Sequence, residues 1–134
     1  MKSHFYHIQI NIDYTNVGFY KELMTFLGWK EIWEGEDLIG FRSHTSGDLW
    51  YVDMGSKEKQ NYDHLGMNHI SIRTETAADI DAIVAYLKEK NIKTLFDTPK
   101  HRPEFASEEN ETYYQVMFES PDKILYEIVF IGQK

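Results

Sequence analysis

Asn68-His69-Ile70-Ser71-Ile72-Arg73 decides the fold, because an earlier stretch, Tyr6-His7-Ile8-Gln9-Ile10-Asn11, follows the same pattern. The two histidines stand 62 positions apart, each followed by isoleucines that alternate with polar residues. Strict alternation is the mark of a half-buried strand, with the isoleucines on one face. His7, Gln9 and Asn11 then share the opposite face in the first copy, and His69, Ser71 and Arg73 in the second. Such a face either meets water or lines a cavity.

Outward from these strands the repeat continues. A helix is expected from about Thr15 to Leu27, with Phe19, Tyr20, Leu23, Phe26 and Leu27 at helical spacing and Gly28 as its stop. In the second half Ala77, Ile80, Ile83, Val84 and Leu87 form the stripe, and Asn91 is the terminator. Histidine to terminator is 21 residues in one half and 22 in the other, which argues for duplication. Three strands should follow each helix: about 30–33, 38–43 and 49–54, then about 93–97, 112–119 and 124–131. Ser120-Pro121-Asp122-Lys123 reads as a tight turn. Residues 98–111 read as a long irregular loop of the kind that forms a lid or binds substrate.

The expected fold class is therefore α+β: two βαβββ modules, 1–56 and 65–134, joined by a polar linker at 57–64 within one domain. Their mixed sheets, each covered on one face by a helix, should curve and pair around a cleft.

Composition narrows the function classes. The chain has 134 residues, 42% hydrophobic, enough for a packed core. It has no cysteine, so no disulfide, thiol nucleophile or thiolate metal site is available. The formal charge of −8 and the lack of a basic cluster speak against nucleic acid and anionic membranes as partners. No apolar run spans a bilayer and no signal-peptide core is visible, so a cytoplasmic location is expected.

One further residue joins the histidines. Glu127 lies in a final strand of apolar residues, where an ionised carboxylate needs a cation or donors to compensate it. Two histidines and a carboxylate suffice for a divalent metal with open positions, as in the facial triad or catalytic zinc. The competing reading makes each histidine a satisfied strand residue and Glu127 the partner of a cation such as Arg73. His4, His44, His64 and His101 fall in terminus, turn, linker and loop.

At these residues the chain resembles the vicinal oxygen chelate superfamily, which includes glyoxalase I, bleomycin resistance proteins and extradiol dioxygenases. The matching stretches are 6–10, 18–23, 27–29, 65–72 and Tyr113-Tyr114-Gln115-Val116-Met117-Phe118-Glu119-Ser120-Pro121-Asp122 leading to Tyr126-Glu127. The resemblance implies paired βαβββ modules around a metal-holding cleft, with His7, His69 and Glu127 on the ligand positions. It also implies a divalent metal (Fe2+, Mn2+, Zn2+ or Ni2+), a small oxygen-rich substrate chelated through neighbouring oxygens, and a homodimer. The reaction class is that of a lyase, isomerase or dioxygenase. The alternative is a metal-free protein that sequesters an antibiotic or other small molecule.

Three positions depart from the family pattern. Glyoxalase I takes a fourth carboxylate from the last strand of the first module, where turn-to-turn alignment puts Tyr51 or Val52, with Asp53 beyond. Extradiol dioxygenases carry a tyrosine where this chain has Met117. Lys123 stands where the family turn has glycine. Parity puts Tyr113, Gln115 and Met117 on the Glu127 side, and Gln9, Tyr51, Arg73, Tyr113 and Gln115 are candidates to bind substrate. Glu104, Glu111 and His101 offer no clear general base, and the catalytic residues are left unassigned. The basic phosphonate-binding stretch of the fosfomycin-modifying transferases is not evident.

Overall fold

A computed structural model describes residues 1–45 and 47–134; Ser46, in the expected turn at 44–48, lies outside the described residues. The chain divides into two compact units, Met1–Lys59 and Gln60–Lys134.

In the first unit β1 (His7–Ile12) leads through a 3-10 turn (Tyr14–Asn16) into α1 (Val17–Phe26), then β2 (Lys30–Glu34), β3 (Leu38–Arg42) and β4 (Asp48–Asp53). In the second, β5 (His69–Thr74) is followed by α2 (Ala77–Glu89), β6 (Thr94–His101), a 3-10 turn (Pro103–Phe105), β7 (Glu111–Glu119) and β8 (Leu125–Gln133). Each unit is βαβββ with a four-stranded mixed sheet, ordered β1-β4-β3-β2 and β5-β8-β7-β6. The first and last strands of each unit pair in parallel; the other pairings are antiparallel.

The two helices stop in the same way. Gly28 takes φ 81° and Asn91 φ 57°, the left-handed conformation that glycine and asparagine tolerate best. Behind each, an amide reaches back five residues, Trp29 N to Met24 O at 3.0 Å and Ile92 N to Leu87 O at 2.8 Å. The start of α2 is fixed by a capping box, in which Thr76 Oγ1 accepts from Asp79 N and Asp79 Oδ2 accepts from Thr76 N.

Helix faces and isoleucine faces meet as the alternation predicts. Tyr20, Leu23 and Met24 of α1 are fully buried, as are Ile39, Phe41 and Tyr51 of the sheet beneath. Ile80, Ile83 and Leu87 of α2 are buried with Val116, Phe118, Tyr126 and Ile128. Each such aliphatic side chain stabilises its unit by about 1.5–3 kcal/mol relative to exposure.

The expected loop at 98–111 is shorter than the sequence suggests. β6 breaks register between Leu95 and Lys100, then resumes with Lys100 opposite Gln115 and His101 opposite Tyr114. Phe96 and Asp97 turn through left-handed conformations, and the Thr98–Pro99 peptide is cis. The Thr98 side chain bridges the gap, its Oγ1 donating to Leu95 O at 2.6 Å and accepting from Met117 N at 2.9 Å. A side-chain hydroxyl thus replaces the ladder bonds that the bulge removes, a substitution strand periodicity cannot reveal.

Candidate functional site

In the second unit the β5/β8 register places Ser71 opposite Glu127, and the β7/β8 register places Met117 opposite it. Glu127 is therefore on the face away from α2, and it is only 5% exposed. Its carboxylate is held by three neutral donors. Ser71 Oγ donates to Oε1 at 2.5 Å and Tyr113 Oη donates to the same oxygen at 2.8 Å. A carboxylate only accepts, so the Gln115 amide is assigned with its nitrogen toward Glu127; in that orientation it donates to Oε2 at 2.5 Å and its oxygen accepts from Arg102 Nε at 3.1 Å. Burial, and then the neighbouring Glu127 carboxylate, push the Tyr113 phenol up to about 12.

His69 stands on the same face, with Nε2 3.9 Å from Glu127 Oε1. Its tautomer follows from its other neighbour. Asn68 Nδ2 donates to Tyr62 O at 2.8 Å, which turns Asn68 Oδ1 toward His69 Nδ1, also at 2.8 Å. An amide oxygen only accepts, so Nδ1 carries a proton and Nε2 is the ring nitrogen turned toward Glu127. A lone pair facing a carboxylate across 3.9 Å is repulsive unless a proton or a cation lies between them. Fixing Nδ1–H on a carbonyl oxygen is how metal-ligating histidines are oriented, and imidazole plus carboxylate suit iron, manganese, zinc or nickel. His69 and Glu127 thus fit the role of two metal ligands.

In the first unit His7 is exposed, lies edge-on to Tyr6 at 5.0 Å between ring centroids, and pairs in register with Asp48. Asp48 is buried and takes a bidentate ion pair from Arg42, at 2.9 and 3.0 Å. That hydrogen-bonded guanidinium holds the Asp48 carboxyl below its usual range. Gln9 donates to Asn11 Oδ1 on the exposed face of β1. Among the described residues, no group of three or more His, Asp or Glu side chains is gathered closely enough to hold a metal ion.

One substrate-binding candidate changes role. Tyr51 shares its face with Ile10, is fully buried and stacks on Tyr20 of α1 at 4.4 Å, so it is a core residue. Arg73 donates to Ile131 O at 2.8 Å, a clasp at the end of the parallel strand pair. Tyr113 and Gln115 do join Glu127, as parity predicts.

The register also corrects the search for a first-module carboxylate. Gln9 pairs with Trp50 as Ser71 pairs with Glu127, so the equivalent position is Trp50 rather than 51 or 52. The nearest carboxylate on that strand face is Asp48, and it is committed to Arg42. Ser71, Asn68 and Arg102 were not among the expected site residues. Ser71 could have been found by parity and Asn68 by adjacency to His69, whereas nothing in the sequence ties Arg102 to Glu127.

Two βαβββ units, each a four-stranded sheet whose first and last strands pair in parallel at one edge, define the glyoxalase/bleomycin resistance fold. Solved structures described as glyoxalases and glyoxalase/bleomycin resistance proteins share that fold with this chain. A proposed glyoxalase from Bacillus halodurans superposes with a TM-score of 0.76 at 24% identity, covering 94% of both chains. A glyoxalase/bleomycin resistance protein from Albidiferax ferrireducens T118 gives 0.74 at 17% identity, covering 96% of this chain and 99% of the other. Lactoylglutathione lyase from Agrobacterium tumefaciens gives 0.65 at 12%, covering 96% and 94%. No family model and no curated protein matches the sequence. Among the described residues, no helix is long and apolar enough to cross a membrane.

Proposed function

We propose that the chain is a divalent-metal-dependent enzyme of the lyase, isomerase or dioxygenase type, acting on a small substrate through two neighbouring oxygens. The observation that carries this reading is His69 Nε2 standing 3.9 Å from the Glu127 carboxylate, with Nδ1 held by the Asn68 side-chain oxygen. His69 and Glu127 supply two ligands and His7 the third, from the same chain or from a second copy in a homodimer. Bound there, the cation supplies Lewis acidity toward substrate oxygens. Ser71, Tyr113 and Gln115 hold the carboxylate in one orientation, and Asn68 holds the imidazole in one tautomer. The work is assigned to the cytoplasm.

Metal content of the purified protein tests this directly. Stoichiometric iron, manganese, zinc or nickel, lost in both His69→Ala and Glu127→Gln, is the expected result. Loss in His7→Ala as well assigns the third ligand, and light scattering gives the number of copies.

A second reading is favoured by one observation: three neutral donors already satisfy Glu127 within its own unit. A metal-free protein that binds small molecules on this face would need nothing more. Protein that carries no metal, and still binds ligands after His69→Ala, decides for it.

A further inference from the structure

Arg102 connects to the Glu127 cage through Gln115, and the interactions around it leave the Nη1/Nη2 edge of its guanidinium only loosely engaged. Its backbone is fixed to the sheet, with Arg102 N donating to Tyr113 O at 2.7 Å and Phe105 N donating to Arg102 O at 3.0 Å. Its side chain is only 23% exposed, in a protein whose formal charge is −8. Nε is used by Gln115, whose nitrogen in turn holds Glu127. The remaining edge, Nη1 and Nη2, has poor partners. Nη2 is 3.4 Å from Phe96 O, and Nη1 is 3.9 Å from the exposed Glu104, beyond hydrogen-bond reach. Lys100 and Asp97, the other nearby charges, pair with each other at 3.4 Å. A mostly covered cation whose ion-pair partner is exposed and 3.9 Å away gains from a closer, bidentate carboxylate.

We propose that Arg102 docks a carboxylate of the ligand, in a bidentate pair made by Nη1 and Nη2, beside the Glu127 face. The end-on fork that Gln115 leaves free has the planar geometry a carboxylate matches. Phe105 contributes an adjoining apolar wall, its ring edge-on to Tyr113 at 5.7 Å and 6.0 Å from the guanidinium carbon. The ligand class is therefore a carboxylate attached to a flat or apolar body. The proposal rests on reading the Glu127 face as a small-molecule site, but it requires no metal.

Benzoate and its neutral counterpart benzamide are the probes, titrated into the protein as purified while the Arg102 Nε–H and backbone amide resonances are followed. Benzoate should bind saturably in the millimolar range and shift Arg102, and benzamide should bind at least tenfold more weakly. Arg102→Gln should weaken benzoate about tenfold and leave benzamide unchanged, while Arg102→Lys retains part of the benzoate affinity. An unaltered set of α2 amide resonances confirms that each variant is folded. Protein stripped of metal with EDTA should keep the benzoate response, so failure of the metal reading leaves this result standing. The proposal is overturned if benzoate does not shift Arg102, if the two probes bind alike, or if Arg102→Gln changes benzoate affinity less than about twofold. It is equally overturned if EDTA abolishes benzoate binding, because the carboxylate would then sit on a metal.

Discussion

Trp50 occupies in the first unit the register position that Glu127 occupies in the second. Each stands opposite the residue two beyond its unit's histidine, Gln9 in one case and Ser71 in the other. Where Glu127 faces Met117 across the next strand, Trp50 faces Gly40. The duplicated scaffold thus carries a hydrogen-bonded carboxylate in one copy and an indole lying over a glycine in the other.

That indole sets the first prediction. A Cβ added at Gly40 would come within 2.6 Å of the Trp50 ring. Gly40→Ala should displace the ring and destabilise the protein by about 1–3 kcal/mol, the usual cost of overpacking. Urea unfolding gives the loss, and a shifted tryptophan emission maximum before unfolding shows its cause. Unchanged emission and stability would mean the ring has room to move.

Tyr113 should titrate late. Burial and Glu127 hold its phenol near 12, above the ordinary value of 10.0. The proton is bound more tightly in the folded state, so the stabilisation is complete below about pH 10 and lost as pH rises toward 12. Tyr113→Phe should cost about 1.5–3 kcal/mol at neutral pH, as for a hydrogen bond to a charged group. The gap between wild type and variant should narrow above pH 10, and a gap constant with pH would contradict the assignment.

Asp48 governs the acid side. Its folded-state pKa is depressed, chiefly by Arg42, so its contribution is full above the unfolded carboxylate value and fades as pH falls through the folded one. Melting temperatures of wild type and Asp48→Asn should differ most at neutral pH and converge in acid. Parallel curves down to the lowest pH would show that the ion pair adds nothing specific.

Thr98 replaces ladder bonds at the bulge, so its hydroxyl matters more than its volume. Thr98→Val keeps the shape but strands the buried Met117 amide, with an expected loss of about 1–3 kcal/mol. Hydrogen exchange should accelerate at Met117 more than at Val116 or Phe118.

Much of this was legible in the chain because strand parity and helix periodicity are local properties. Isoleucines two apart behind His7 and His69, and the left-handed stops at Gly28 and Asn91, gave the modules and their faces. Parity likewise brought Tyr113 and Gln115 to Glu127. It failed at Tyr51, because alignment from the turns miscounts by a residue, and one residue moves a strand side chain to the opposite face. The reach of β6 to His101 was hidden because Thr98 supplies hydrogen bonds from its side chain. Lys123 adopts φ 61° in a turn where glycine would be unstrained, a tolerance that propensity alone does not foresee. Arg102 reaches Glu127 only through Gln115, a relay that no spacing rule encodes.

The register breaks in β2, between Glu31 and Trp33, and in β6, between Leu95 and Lys100, fall on one of the two edge strands of each sheet. An uninterrupted rim would let a stray polypeptide zip on and seed fibrils. With both rims kinked, and Pro99 removing one more amide from the second, these sheets resist being lengthened from that side. Crowded or partly unfolded preparations should therefore be slow to assemble through β2 or β6.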